Sequence, residues 1–261
     1  MGKDLLLEIG IEEIPSSFLE PAQNRMRELM LAMLDRERIS CDKIETYGTP
    51  RRLALLVRNI SERQKNRINR QIGPPRHIAF DKSGSPTKAA IAFAQKNRAR
   101  LEDLTIETTE KGDYLALVSQ ECGGESKVVL QETLPIFIKQ IPFPKTMRWA
   151  DKDIRFARPI HWILALFGEE VVPFEVDGIK SANMSKGHRF MSAGEFLVKD
   201  FHDYMAKTED HKVIVDQVRR KELIKQQLKA QAESIGGRVY QDEELLDIVT
   251  NLIEYPFSIC G

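Results

Sequence analysis

Four short stretches of the sequence combine cationic side chains with aromatic residues or with a turn. They are Thr-Pro-Arg-Arg at 49–52, Lys-Thr-Met-Arg-Trp at 145–149, Arg-Phe-Ala-Arg-Pro-Ile-His-Trp at 155–162 and Lys-Gly-His-Arg-Phe at 186–190. Arginine forms bidentate contacts with phosphate, and aromatic rings stack on unpaired bases. These clusters therefore predict contact with RNA. The alternative is that the rings belong to the core and the arginines pair with acidic side chains.

A strongly basic segment adds to this pattern. Between residues 58 and 77 there are six Lys or Arg residues and one acid, Glu62, and Gly-Pro-Pro at 73–75 ends the segment. One interpretation is a solvated, positively charged strand or arm. The other is phosphate binding, because no nearby acid in the sequence neutralises the run.

Residue patterns that carry catalysis are not found in the sequence. It has no Walker-type phosphate loop, no dinucleotide-binding glycine pattern, no His-Glu-x-x-His helix and no Gly-x-Ser-x-Gly elbow. The five histidines do not fall at metal-ligand spacings, and adjacent carboxylates such as Glu12 and Glu13 point to different faces. We therefore predict no catalytic residue, no metal site and no cofactor in this chain.

Composition limits the class of protein. The 261 residues contain 39 Lys and Arg and 39 Asp and Glu, with 42% apolar residues. This balance excludes a disordered acidic tail, a histone-like polycation and a collagenous fibre. It leaves nucleic-acid binding open, because zero net charge can hide a basic face. No apolar run approaches the ~18 residues of a membrane span. The three cysteines lie far apart, which favours reduced thiols in the cytoplasm.

Hydrophobic periodicity predicts an α+β fold of mixed sheets with packed helices. Apolar residues at three- and four-residue intervals predict a helix over 18–38, between a strand at 5–9 and strands at 44–47 and 53–57. Further helices are predicted at 86–98, 126–140, 196–206, 217–235 and 245–253, and further strands at 106, 115–118, 171–176, 211–216 and 255–260. The run at 160–167 suits a strand or a short helix. An apolar strand beginning at the last residues predicts that the sequence is part of a longer chain.

Several motifs, in order along the chain, resemble the bacterial glycyl-tRNA synthetase β subunit. They are Leu-Leu-Leu-Glu-Ile-Gly-Ile-Glu-Glu-Ile-Pro at 5–15, Tyr-Gly-Thr-Pro-Arg-Arg-Leu-Ala at 47–54, Gly-Pro-Pro at 73–75, Gly-Ser-Pro-Thr-Lys-Ala-Ala at 84–90, Pro-Lys-Thr-Met-Arg-Trp at 144–149, Phe-Ala-Arg-Pro-Ile-His-Trp at 156–162, Gly-His-Arg-Phe at 187–190 and Thr-Asn-Leu-Ile-Glu-Tyr-Pro at 250–256. Ile11 departs from the threonine expected in the first motif. Each motif alone is weak, and their common order makes the resemblance specific.

The resemblance implies an α2β2 glycine–tRNA ligase. In such an enzyme the separate α subunit holds the catalytic site and uses ATP, Mg and glycine, and the β subunit binds tRNA(Gly) and holds the tetramer together. This chain would be the N-terminal portion of the β subunit, inactive by itself, with an HD-type domain and the anticodon-binding domain missing. We expect a mixed α/β domain over 1–175, with a sheet from 1–60 and 145–175 around an inserted 61–144 segment. A truncated domain resembling a B3/4 module would follow at 176–261.

Two roles for the cationic residues follow from these patterns. The first is a tRNA-facing surface, for which we predict Arg51, Arg52, Arg63, Lys65, Arg67, Arg70, Lys145, Arg148, Arg158, His188 and Arg189. The second is a protein-interaction scaffold, in which the arginines bind acids of the α subunit and do not contact tRNA. A stand-alone enzyme is a third possibility, supported only by the pockets that a mixed α/β fold can form.

Overall fold

The computed structural model describes residues 2–260, which form two compact units. The large unit comprises 2–63 and 125–260 of these residues, and the small unit comprises Gln64–Gly124. Strands are β1 (Lys3–Ile11), β2 (Lys43–Thr49), β3 (Arg52–Ile60), β4 (Arg67–Pro75), β5 (Leu104–Thr109), β6 (Gly112–Glu121), β7 (Ile160–Phe167), β8 (Glu170–Val171), β9 (Glu175–Val176), β10 (Ile179–Ala182), β11 (Met184–Lys186) and β12 (Glu195–Leu197). Helices are α1 (Ser16–Arg36), α2 (Arg76–Ala79), α3 (Lys88–Lys96), α4 (Ser126–Gln140), α5 (Phe201–Asp210), α6 (Gln217–Ser234) and α7 (Glu243–Thr250).

The large unit is built on a seven-stranded sheet in the order β2-β3-β1-β7-β10-β9, with β8 paired to β7. Its pairings are antiparallel except that of β10 with β7. Strand β1 lies between β3 and β7 and is buried on both faces, which explains why its sequence is a nearly continuous apolar run rather than an alternating one. Strand β1 is therefore a central strand of the large unit, and the other elements pack around it.

Each face of this sheet is covered by different elements. On one face Leu5, Leu7 and Ile9 pack with apolar residues of α1 and α4, including Met26 and Leu134. The other face carries the even-numbered side chains of β1 and is covered by α5, β12 and residues 213–215. Because successive side chains of a strand alternate between faces, Leu6, Glu8 and Gly10 share this second face.

The small unit is a three-stranded antiparallel sheet in the order β4-β6-β5, with α2 and α3 on one side. Its core is small, built on Ala79, Ala90 and Leu115. Gly73 lies against the ring of Phe93, where an added Cβ would come within 2.9 Å of ring carbons. The unit contains ten Lys or Arg residues and seven Asp or Glu residues, whereas the large unit contains 29 and 32. The neutral chain therefore divides into a net-positive small unit and a net-negative large unit.

The α+β class is confirmed, as are β1, α1, the β2–β3 pair and the β5–β6 hairpin. The 160–167 run is the strand β7, and Pro135 does not interrupt α4. Among residues 2–260, no helix is both long and apolar enough to cross a membrane.

Four predicted elements are wrong, all after residue 170. The strand predicted at 171–176 is two short strands, β8 and β9, separated by the irregular residues 172–174. The helix predicted over 196–206 is strand β12 followed by α5, because the Asp200 carboxylate accepts the amide of Asp203 and starts a new helix there. The strands predicted at 211–216 and 255–260 are irregular segments. In the first segment, the amide of Ile214 donates to the carbonyl of Glu254. The carbonyls of Ile214 and Val215 accept hydrogen bonds from the Arg220 side chain and not from a neighbouring strand.

The division into units also differs from the predicted domains. The inserted unit is shorter than 61–144, since α4 contributes Leu130 and Leu134 to the core of the large unit. The predicted boundary at 175/176 falls within the large unit, where β10 pairs with β7 of the central sheet. The resemblance of 176–261 to a B3/4 module stays a prediction.

Gly10 provides a test of how tightly this sheet is packed. It lies between Arg52 and Trp162 in the cross-strand register, and an added Cβ would lie 1.9 Å from Trp162 Cε2. We expect Gly10→Ala to lower the free energy of unfolding by about 1–3 kcal/mol or more, because overpacking forces the indole to move. Urea unfolding measures this change. Gly237→Ala is the control, since its Cβ would meet nothing closer than 3.4 Å, and a change as large there would contradict the packing argument.

Candidate nucleic-acid interface

A buried carboxylate lies at the centre of the large unit. Glu8 has no exposed surface and projects from the middle of β1. Its Oε1 accepts hydrogen bonds from Trp162 Nε1 and from Ser185 Oγ at 2.7 Å, and its Oε2 accepts one from the Tyr204 hydroxyl. These donors come from β7, β11 and α5, so one carboxylate connects three elements to the central strand.

Arg52, the first residue of β3, supplies the countercharge. Its Nη1 donates to the Lys186 carbonyl at 3.0 Å and lies 3.5 Å from Glu8 Oε2, and its Nε donates to Glu254 Oε1 at 3.0 Å. The guanidinium also lies 5.5 Å from the centre of the Trp162 ring. We call Glu8, Arg52, Trp162, Ser185, Tyr204 and Glu254 the buried network.

The charges of the buried network are mutually dependent. Burial disfavours the charged forms, yet Arg52 and the Thr49 hydroxyl, which donates to Glu254 Oε1 at 2.6 Å, hold the pKa of Glu254 below its ordinary value. Burial likewise opposes the charge of Arg52, but Glu254 and Glu8 raise the pKa of the guanidinium above its ordinary value. Burial and the nearby Glu8 charge raise the pKa of Tyr204, which keeps its hydroxyl a donor.

A second buried arginine secures the segment that carries Glu254. Arg220 of α6 donates to the carbonyls of Gly48 and Thr250, each at 2.8 Å, and to the carbonyl of Ile214. Burial lowers its pKa to about 10. This arginine thus connects the end of β2 with the segment that follows α7.

The structure brings several of the sequence motifs together on the rim above the buried network. Glu12, just after β1, accepts from Arg189 Nη1 at 2.7 Å and lies 3.2 Å from His161 Nε2. Arg158 Nε donates to the carbonyl of Glu13 at 3.2 Å. Although burial acts in the opposite direction, His161 and Arg189 lower the pKa of Glu12. The acidic pair of the first motif therefore orients cations from two later motifs.

The predicted residues of the large unit fall into different environments. Arg51 and His188 are half-buried and line one cleft with the exposed Arg189. Lys145 and Arg148 are exposed, and Met147 between them lies beside Arg158, with Sδ 3.9 Å from Nη1. Arg52 requires a correction, because its side chain is fully buried and its donors face the buried network, which leaves no surface for an RNA phosphate.

The remaining predicted residues surround the start of β4. Arg63 is an exposed residue at the end of the first segment of the large unit, and Lys65, Arg67 and Arg70 are exposed in the small unit. Arg67 and Arg70 lie on opposite faces of β4, and Arg70 Nη1 is 3.5 Å from Oε1 of Glu107 on β5. Strand β4 is an edge of its sheet, so its outer edge presents backbone polar groups to solvent, and residues 67–72 are exposed apart from the half-buried Asn69.

Sequence reasoning missed most of the buried network. Glu8 carried a local signal, because a single acid within an apolar strand is costly to bury without partners. Glu254 and Tyr204 carried no such signal, and neither did Arg220 outside the network. Within the described chain, no group of three or more His, Cys, Asp or Glu residues is placed to hold a metal ion.

The fold and this arrangement define an α+β protein with an inserted, net-positive unit and a rim of cationic and aromatic side chains. Residues 5–261 match the sequence profile of one family, and the chain belongs to it: the glycyl-tRNA synthetase beta subunit family. The glycine–tRNA ligase beta subunits of Trichlorobacter lovleyi and Syntrophus aciditrophicus are 47% and 43% identical to it, over 100% of this chain. The chain spans 38% of the length of each of these relatives.

The charge on Glu254 can be tested by its effect on acid stability. Because its pKa is lowered on folding, its contribution is fully present above its ordinary pKa of 4.5 and is lost as the pH falls through the folded value. We expect Glu254→Gln to cost about 1.5–3 kcal/mol at pH 7, since it replaces the charged acceptor of the Arg52 Nε hydrogen bond and leaves Glu8 as the one carboxylate beside the Arg52 charge. This cost should shrink below about pH 4.5. Urea unfolding at several pH values between 7 and 3 measures it.

Glu195→Gln is the matched control. It breaks an exposed ion pair with Lys186 at 3.0 Å, and we expect it to cost at most about 1 kcal/mol. A cost for Glu254→Gln that stayed constant across this pH range would show that the carboxylate charge is not what stabilises the fold.

Proposed function

We propose that this chain is the tRNA-binding and assembly part of the beta subunit of a glycine–tRNA ligase, which attaches glycine to tRNA(Gly) using ATP. Its family membership and its relatives, which are named glycine–tRNA ligase beta subunits, support a role in glycyl-tRNA synthesis. The proposed division of labour places catalysis, ATP and Mg on a separate alpha subunit of an α2β2 tetramer. The proposed location is the cytoplasm.

The separation of charge carries the tRNA-binding part of this proposal. Positive charge is concentrated in the small unit, where Lys65 lies just before the edge strand β4 and Arg67 and Arg70 lie within it, all three exposed. Phosphate contacts supply most of the sequence-independent affinity for nucleic acid, and each releases counterions. A strand that presents cations on both faces can approach a phosphate backbone from its edge.

An assembly role is favoured by a different observation. Tyr240, Leu245 and Leu252, in and around α7, have exposed fractions of 89%, 55% and 55%. These three residues lie within 13 positions of one another in the sequence, and large exposed apolar side chains in one region of the surface are typical of protein interfaces. The scaffold alternative, in which this chain holds the alpha subunit without contacting tRNA, would use such a surface.

The salt dependence of tRNA binding distinguishes these roles. We expect the Lys65→Ala, Arg67→Ala, Arg70→Ala triple variant to weaken tRNA binding and to flatten the plot of log affinity against log salt concentration. Three lost phosphate contacts should lower the slope by about 2–3. Filter binding at salt concentrations from 50 to 200 mM measures both quantities.

The control variant removes three cations from the large unit, Arg25, Arg36 and Lys43, each of which is paired with a nearby glutamate. It changes the net charge equally and should leave the slope close to that of the unmodified chain. Equal slopes for all three proteins would exclude β4 as the tRNA contact. Binding of the alpha subunit without any tRNA binding would favour the scaffold.

A further inference from the structure

A small cleft in the large unit forms where four of the sequence motifs meet. Its walls come from Glu13, from Pro50-Arg51, from 188–190 and from 252–255, and its volume is about 170 Å³. Pockets for drug-sized ligands measure about 300–1,000 Å³. This cleft is therefore suited to one planar ring and is too small for a duplex.

The cleft has aromatic side chains that the core does not require. Phe190 is 82% exposed, and Tyr255 is half-buried. Arg189 Cζ lies 5.7 Å from the centre of the Phe190 ring, and Lys212 Nζ lies 5.2 Å from the centre of the Tyr255 ring. A cationic side chain therefore lies over each ring. An exposed phenylalanine beside arginine is a stacking platform for an unpaired base.

Two residues that line the cleft each have a buried hydrogen-bonding atom that no group among residues 2–260 satisfies. Arg51 Nε and Glu254 Oε2 are buried, and neither has a hydrogen-bond partner among residues 2–260. His188 Nδ1 accepts the amides of Phe190 and Met191, which assigns the ring hydrogen to Nε2 as a donor. A buried donor and a buried acceptor in one cleft match the edge of a nucleobase, which presents both kinds of group.

The floor of the cleft is preorganised. Glu254 is held by Arg52 at 3.0 Å and by Thr49 at 2.6 Å, and Arg220 holds the carbonyl of Thr250 on the same segment. Arg189 is oriented by Glu12. A ligand would therefore meet groups that are already in position, which lowers the entropic cost of binding.

We propose that this cleft binds a single unpaired nucleotide of RNA, with its base stacked on Phe190 and Tyr255 and its edge facing Arg51 and Glu254. This inference rests on the proposed tRNA-binding function and specifies one contact within it. It uses base stacking and hydrogen bonding, whereas the β4 surface uses charge. The two can therefore be lost independently.

The test uses the 261-residue chain and a single-stranded RNA hexamer with one 2-aminopurine, a fluorescent base whose emission falls when it stacks on an aromatic ring. We expect saturable quenching by the unmodified chain. Phe190→Ala should weaken hexamer binding by roughly 5- to 150-fold, the range for loss of one base–aromatic stack, and remove most of the quenching. Phe190→Trp, which keeps an aromatic ring at this position, should keep both the hexamer binding and the quenching of the unmodified chain.

Phe257→Ala is the matched control, because Phe257 is 77% exposed and does not line the cleft. A duplex with a paired 2-aminopurine should show little quenching. Equal quenching of hexamer and duplex, quenching unchanged by Phe190→Ala, or no hexamer binding would each overturn the proposal. If filter binding then still showed tRNA binding that depends on β4, only the cleft would fail; loss of tRNA binding altogether would remove the proposed function as well.

Discussion

The structure of the large unit depends on the burial of the Glu8 carboxylate in the middle of its central sheet. A carboxylate removed from water is destabilising unless hydrogen bonds and a countercharge compensate for its lost hydration. Glu8 obtains three hydrogen-bond donors and the guanidinium of Arg52. These partners come from elements far apart in the sequence, so the sheet, the β11–β12 hairpin and α5 must all be in place for the charge to be tolerated.

This dependence explains two features of the chain that local structure does not. Gly10 lacks a side chain because the Trp162 ring, which donates to Glu8, occupies the space above it. Glu254 lies in an irregular segment because its carboxylate must reach Arg52 and its carbonyl must accept the amide of Ile214. The same contacts position the residues of the rim, because Arg51 is adjacent to the buried Arg52 and Gly187-His188 follows Lys186, whose carbonyl binds Arg52.

The sequence predicts the elements whose burial pattern is local and misses those that depend on distant partners. The spacing of apolar residues in α1 and the apolar run of β1 identify both elements, because one neighbouring layer accounts for each pattern. The apolar residues within 211–216 predict a strand there, yet the carbonyls of Ile214 and Val215 are bound by the side chain of Arg220. The same limit applies to the site. Arg51 and Arg52 look alike in sequence. Arg51 is half-buried, whereas Arg52 is fully buried because partners as distant as Glu254, 202 residues away, pair with it.

The distribution of charge indicates different tasks for the two cationic surfaces. In the small unit positive charge exceeds negative charge, so a phosphate backbone meets a net attraction. In the large unit Arg189 is already paired with Glu12, and a phosphate would have to compete with that carboxylate for it. Replacing the Glu12 carboxylate by a phosphate at Arg189 would add little affinity, whereas a base can stack on Phe190 without breaking an ion pair. The cleft of the large unit is therefore better suited to recognising a base than to binding a phosphate backbone. The small unit is better suited to binding the backbone.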